Sequence, residues 1–188
     1  TVIQCSLVHI LFTMRITTRM MMRVISSSIS PILFILLIHF NQEIDGNVNV
    51  AIANRQPGSA FKPIAYATAF KDKYYPAYPL FDVPTDFGGD YKPQNYDGKN
   101  RGYVSVRQAL ANSLNVPAVK VLALAGLSNT LKTAQDLGIT TLNDPDRYGL
   151  SLVLGGGEVK LLELTSAYGV FANQGKRMDN QTVLKIED

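Results

Sequence analysis

The sequence has little of what builds disulfide frameworks and metal centres. Its 188 residues include one cysteine, Cys5, and two histidines, His9 and His39, both in apolar surroundings near the start. A single cysteine excludes an internal disulfide and a cysteine-based metal site, so neither a metal nor another cofactor is expected. The net charge is only +3, and the Lys and Arg residues form no cluster of the kind that follows phosphates. Nucleic acid is therefore not an expected partner.

Residues 1–42 lack Asp, Glu, Lys, Gly, Ala and Tyr altogether, and their arginines, Arg15, Arg19 and Arg23, account for the whole net charge. One interpretation is a signal anchor, because three arginines precede an apolar stretch. The uninterrupted apolar run, residues 32–38, is shorter than the ~20 residues that span a membrane. We therefore favour the alternative, a frameshifted or misassembled start of a partial gene, and separate this atypical apolar and basic segment from the rest.

The rest of the chain, residues 43–188, mixes helical and extended patterns. Ser105 and Gln108 have the spacing of a helix capping box. The segment Asp72 to Tyr103 is rich in Pro, Gly, Asp and Tyr, which predicts a long surface loop. Helices are predicted at 59–70, 105–112, 117–125, 128–137 and 160–173, and strands at 150–154 and 182–186. Helices and strands without regular βαβ alternation predict an α+β fold.

A serine and a lysine stand three residues apart in the segment RQPGSAFKP, residues 55–63. Residues i and i+3 of a helix share a face, so the Lys62 amine can lie beside the Ser59 hydroxyl. A serine hydroxyl becomes a strong nucleophile when an adjacent base takes its proton. At the start of a helix, backbone N–H groups also favour a developing oxyanion. The alternative is a serine cap followed by a solvated lysine, since about one such tetrad is expected by chance.

A second polar pair lies between two predicted helices, in Asn112-Ser113-Leu114-Asn115. In an extended or looped backbone, residues i and i+2 point the same way, so Ser113 and Asn115 can face one site. The alternative is a polar loop in which Asn115 ends one helix and Pro117 opens the next. Both interpretations can hold together, because loops commonly carry site residues.

Together with their context, these motifs resemble the transpeptidase domain of class A penicillin-binding proteins, the bifunctional peptidoglycan synthases. Ser-x-x-Lys with a Ser-x-Asn element belongs to the signature of penicillin-binding proteins and class A β-lactamases. The similar segments follow the order of that family and together span residues 43–188, about three quarters of the chain. They are RQPGSAFKPIAYA (55–67), YKPQN (91–95), GYVSVRQALANSLNVPA (102–118) and LGGGEVKLLELTSAYGVFANQG (154–175).

The resemblance implies part of the α+β fold shared by penicillin-binding proteins and serine β-lactamases, with a helical subdomain and an antiparallel sheet. It implies that Ser59 is the acylated nucleophile, that Lys62 is its base, and that Ser113 and Asn115 relay protons and hold the donor peptide. The third motif of the family, Lys-Thr-Gly on a strand, is absent; the nearest string, residues 132–134, falls in a predicted helix. We therefore expect a domain truncated at its C-terminal side and inactive alone.

The function implied is peptidoglycan D,D-transpeptidation, in which a serine acyl-enzyme crosslinks stem peptides that end in D-Ala-D-Ala. β-Lactams would be covalent inhibitors, and the parent protein would be membrane-anchored at the extracytoplasmic face of a bacterial cell membrane. One alternative is a serine β-lactamase or D,D-carboxypeptidase, which passes the acyl group to water. The other is a non-catalytic truncated fragment.

Overall fold

The computed structural model describes residues 49–180. The predicted boundary between residues 42 and 43, the atypical segment before it, and the strand predicted at 182–186 lie outside these residues. The described strands are β1 (Asn54–Arg55), β2 (Pro79–Asp82), β3 (Gly102–Ser105) and β4 (Val159–Lys160). The α-helices are α1 (Lys62–Lys71), α2 (Val106–Ala111), α3 (Asn115–Ala125), α4 (Leu127–Asp136) and α5 (Leu161–Ala172). Short 3₁₀ helices occupy Gly58–Phe61, Pro145–Arg147 and Leu150–Leu154.

The strands form two antiparallel pairs, β1 with β4 and β2 with β3, and with the helices they confirm an α+β fold. The second pair corrects the prediction of an unbroken loop over residues 72–103. In it, Leu80 lies opposite Val104 and Phe81 opposite Tyr103. Leu80 and Val104 are buried whereas Phe81 and Tyr103 are exposed, which is the alternation of a half-buried sheet. Composition did not reveal these strands, because each has only four residues and the paired residues are 20 to 26 positions apart.

Helix α3 lies at the centre of the core. Its sequence, NVPAVKVLALA, is apolar apart from Asn115 and Lys120, which is typical of a helix that is largely buried, and Leu124 near its end is exposed. Val119, Val121 and Leu122 are almost fully buried there, and Ile64 and Tyr66 of α1 belong to the same core cluster. This packing brings the first turn of α3 against the first turn of α1.

Local signals predicted the helices well and the segment before α5 badly. The capping box is confirmed, since Ser105 Oγ accepts from Gln108 N and Gln108 Oε1 accepts from Ser105 N. The strand predicted at Leu150–Leu154 is wrong, because those residues form a 3₁₀ helix whose Leu152 and Val153 enter the core. A five-residue apolar run fits a buried helical turn and a buried strand equally well.

In the part of the chain that the structure describes, none of the helices combines the length and apolarity that a membrane crossing needs.

Candidate active site

Ser59 lies in the 3₁₀ helix Gly58–Phe61, immediately before α1. The turn begins at Gly58, whose φ of +56° favours glycine. The Ser59 side chain is exposed, and within residues 49–180 its hydroxyl makes no hydrogen bond. Ser59 therefore precedes α1 by one 3₁₀ turn and presents a hydroxyl that an approaching molecule can reach.

Two contacts from the C-terminal part of the described chain hold this turn. The backbone of Gly155 approaches that of Gly58 so closely that a Cβ on residue 155 would overlap the Gly58 N and Cα atoms. The Tyr168 hydroxyl, on α5, donates a hydrogen bond to the Ala60 carbonyl at 2.8 Å. Neither contact could be predicted from sequence alone, because each joins residues about 100 positions apart.

Lys62 is the first residue of α1 and is only 1% exposed. Its Nζ donates to the Ser113 carbonyl at 2.6 Å, the Ser113 hydroxyl at 3.1 Å and Asn115 Oδ1 at 2.8 Å. No hydrogen bond between the Lys62 amine and the Ser59 hydroxyl occurs in the described chain, although the i, i+3 spacing placed both on one face. The amine instead contacts the Ser-x-Asn element, more than 50 residues away.

Burial controls the charge of this lysine. Desolvation lowers the pKa of Lys62 from 10.5 to about 8, since an apolar environment disfavours the charged form. Among the described residues, no carboxylate lies within ion-pair distance of its Nζ atom. The three neutral acceptors stabilise the ammonium without a counter-ion. The desolvation that lowers the pKa to about 8 is what allows a fraction of the amines to lose their proton near neutral pH.

The Ser-x-Asn element is the turn between α2 and α3. Ser113 has a left-handed backbone with φ of +52°, and this turn directs both its carbonyl and its hydroxyl at Lys62. Asn115 is the first residue of α3 and does not end α2 as the alternative supposed. The structure thus brings Lys62, Ser113 and Asn115 together, as the i, i+2 argument predicted for the last two.

Asn115 is itself held by a segment to which sequence reasoning gave no role. Its Nδ2 donates to the Gln94 carbonyl at 2.8 Å, and its backbone N–H donates to Asn95 Oδ1 at 2.8 Å. Gln94 and Asn95 belong to YKPQN, a segment that carried the resemblance. The sequence signal for this role was the amide residue Gln94, next to Pro93. It was overlooked because the composition of the surrounding stretch predicted a surface loop.

The described residues offer no group of His, Cys, Asp or Glu able to hold a metal ion. The Lys132-Thr133-Ala134 string lies on α4, as predicted, and Thr133 contacts Lys71 at the far end of α1. What the site does contain is an exposed hydroxyl, a buried amine of depressed pKa, a second hydroxyl and an amide. These groups can perform acyl transfer through serine.

Comparison with known proteins gives a consistent result. Residues 39–188 match the family model described as the penicillin-binding protein transpeptidase domain. Penicillin-binding protein 1C of Escherichia coli K12 is 38% identical over 133 residues, which are 70% of this chain. The chain spans 17% to 18% of the length of the curated relatives it matches.

Solved structures agree. The crystal structure of penicillin-binding protein 1A from Haemophilus influenzae superposes with a TM-score of 0.61 at 28% identity, covering 69% of this chain and 20% of that one. The PonA1 protein of Mycobacterium tuberculosis, in complex with penicillin V, has the same fold, with a TM-score of 0.60 at 24% identity. That match covers 66% of this chain and 36% of that one.

Proposed function

Because the chain belongs to the penicillin-binding protein transpeptidase family, we propose that Ser59 is the nucleophile of a peptidoglycan D,D-transpeptidase and Lys62 its general base. One observation carries the proposal. An amine of lowered pKa, held by Ser113 and Asn115, lies at the start of the helix that follows an exposed Ser59. A serine hydroxyl needs such a base to become nucleophilic at neutral pH.

The first step is acylation. Ser59 Oγ attacks the carbonyl carbon between the two terminal D-alanines of a stem peptide, and its proton passes to the neutral Lys62 amine. The bond from that carbon to the leaving nitrogen then breaks, and D-alanine departs with a proton. The Ser113 hydroxyl, 3.1 Å from Lys62 Nζ, can relay this proton from the ammonium to the leaving nitrogen.

The second step returns the enzyme to its starting state. The amine of a second stem peptide attacks the ester carbonyl and an amide bond forms as the bond between the acyl carbon and Ser59 Oγ breaks. The proton of that amine returns through Lys62 to Ser59 Oγ. A β-lactam acylates the same serine, but its ring stays attached after opening and no D-alanine leaves. We infer that the substrates are peptidoglycan stem peptides and that the parent protein acts at the extracytoplasmic face of a bacterial membrane.

A donor peptide ending in D-Ala-D-Ala, mixed with an amine acceptor, tests the proposal in the intact gene product that carries this chain. We expect crosslinked product together with free D-alanine, and neither product from Ser59→Ala. Ser128→Ala is the matched control, since Ser128 is an exposed serine on α4, and it should behave as the unaltered protein. Release of D-alanine without any crosslink would instead identify a carboxypeptidase, and turnover by Ser59→Ala would remove Ser59 from the mechanism.

A further inference from the structure

Asn95 joins two parts of the molecule through every polar atom of its side chain. It is only 5% exposed. Its Nδ2 donates to both carboxylate oxygens of Asp82 and to the Lys99 carbonyl, each at 2.8 Å. Its Oδ1 accepts from the backbone N–H of Asn115 at 2.8 Å and of Val116 at 3.4 Å. The amide therefore connects the end of β2 to the first turn of α3.

Asp82 determines which way this amide faces. Its side chain is fully buried, and an ionised carboxylate can only accept hydrogen bonds. The NH₂ group of Asn95 must therefore point at Asp82, because the opposite orientation would place an amide oxygen against carboxylate oxygens. The backbone N–H of Arg101 donates to the same carboxylate at 3.0 Å and fixes it from a second side. With its NH₂ group committed, Asn95 can only offer an oxygen to α3.

Helix α3 needs that oxygen. The residue at its N-cap position is Leu114, which has no side chain that could accept from the first N–H groups. Uncapped N–H groups at a buried helix start cost stability, and a capping oxygen usually comes from the N-cap residue itself. Here Asn95 supplies it from 20 positions upstream. The position of Asn115 therefore depends on Asn95.

The position of Asn115 in turn affects the Lys62 amine, which Asn115 contacts. Its Nδ2 group is engaged by the Gln94 carbonyl, which leaves Oδ1 facing Lys62 Nζ at 2.8 Å. A displacement of the α3 start would therefore move one of the three acceptors that hold the lysine. Misplacing a catalytic group by about 1 Å can cost on the order of a hundredfold in rate.

We propose that Asn95, oriented by Asp82, is a positioning residue for the acylation step, which caps α3 and thereby sets Asn115 against the Lys62 amine. This inference rests on the proposed function, because it assigns Asn95 to the same site. It predicts an effect on the rate of the chemical step, since Asn95 holds the base in place, and little effect on reversible binding of the substrate.

An exchange of the two side chains tests the proposal. Asn95→Asp sets two carboxylates against each other, and Asp82→Asn removes the charge that orients the amide. The double variant D82N/N95D restores the donor–acceptor pair between positions 82 and 95 and keeps an oxygen at 95 that can cap α3. It loses the donor to the Lys99 carbonyl, so the expected recovery is partial. Asp90→Asn is the matched control, because Asp90 is an exposed carboxylate of the same loop that contacts none of Asp82, Asn95, Lys99 and Arg101, and asparagine tolerates its positive φ.

The readout is acylation of the intact gene product by a fluorescent penicillin, resolved into the dissociation constant of the reversible complex and the acylation rate constant. We expect each single variant to lower the rate constant about tenfold or more, with the dissociation constant changed less than about twofold. The double variant should recover to within about fivefold, and Asp90→Asn should match the unaltered protein. If Asn95→Asp does not fold, Asp82→Asn, which keeps the side-chain shape, and the double variant carry the test.

Two outcomes overturn the inference. One is a folded single variant that acylates at the original rate; the other is a double variant no faster than the slower single variant. Both leave the proposed function standing, provided that the unaltered protein is acylated at Ser59. Absence of labelling at Ser59 in the unaltered protein would overturn the proposed function and this inference with it.

Discussion

At the scale of single residues, the charge of Lys62 matters most. With a pKa of about 8, about a tenth of the Lys62 amines are neutral at pH 7, compared with about one in three thousand at the ordinary value of 10.5. A general base must be neutral to accept a proton. Burial therefore increases the neutral population, the form that the proposed base role requires, roughly 300-fold.

Acylation should accordingly depend on pH. The rate constant for penicillin acylation of the intact gene product should rise with pH and level off above about 8, where Lys62 has lost its proton. Stopped-flow measurements between pH 6 and 10 check this, because that range extends about two units on each side of the expected midpoint. Lys62→Met should abolish acylation, and Lys71→Met, at the exposed end of α1, should leave the profile unchanged. A flat profile, or one still rising near pH 10, would contradict a deprotonated Lys62.

The same shift affects stability. The folded-state pKa of Lys62 lies below its unfolded value, so between about 8 and 10.5 the unfolded state binds more protons than the folded state. The free energy of unfolding therefore gains a contribution from Lys62 as pH rises through that interval. Below pH 8 the buried ammonium opposes folding, because the desolvation that lowers the pKa of Lys62 also lowers the free energy of unfolding there.

At the scale of elements, the turn that follows the 3₁₀ helix Leu150–Leu154 packs against the turn that carries Ser59, the proposed nucleophile. Gly155 has φ of +94° and packs directly on the backbone of Gly58, so a side chain there meets both an unfavourable backbone conformation and a clash. Gly155→Ala should lower the free energy of unfolding by about 1–3 kcal/mol and slow acylation, since the neighbour of Ser59 must move. Thermal melts and the penicillin acylation rate measure the two effects.

Gly169→Ala is the control for that substitution. Gly169 lies within α5, and a Cβ there would contact nothing within 4 Å. Alanine is the better helix former by about 1 kcal/mol, so this variant should be as stable as the original or more so, with unchanged acylation. A Gly155→Ala protein that melts and reacts like the original would show that the Gly155 contact does not position Ser59.

The sequence predicts an element well when the residues that determine it lie close together in the chain. The capping box of α2 and the glycines after α3 and α4 act within a few residues, and those helices were predicted to within about two residues. The β2–β3 pair and the 3₁₀ helix at residues 150–154 depend on distant partners and were missed. In the site, the i, i+2 rule predicted that Ser113 and Asn115 face together, whereas the contact of Lys62 with them is a tertiary one that spacing could not indicate.

At the scale of the whole molecule, three stretches of chain meet at the buried start of α3. Lys62 belongs to α1, Asn95 to the loop after β2, and Ser113 to the turn after α2. The largely apolar α3 holds these residues in place, because the packing of its buried residues in the core fixes the position of its N-terminus. Packing in the core therefore places the site residues. It also brings together the separate sequence segments that carry the family resemblance.

The central claim is that Ser59 is the residue that becomes acylated, and peptide mapping tests it most directly. The intact gene product is treated with penicillin and digested with trypsin, which cleaves after Arg55 and Lys71 and spares the Lys62-Pro63 bond. The resulting peptide, residues 56–71, contains Ser59 as its only serine. We predict one penicillin adduct on this peptide at Ser59, lost in Ser59→Ala and kept in Ser128→Ala. An adduct on another peptide, or one that survives in Ser59→Ala, would contradict the account.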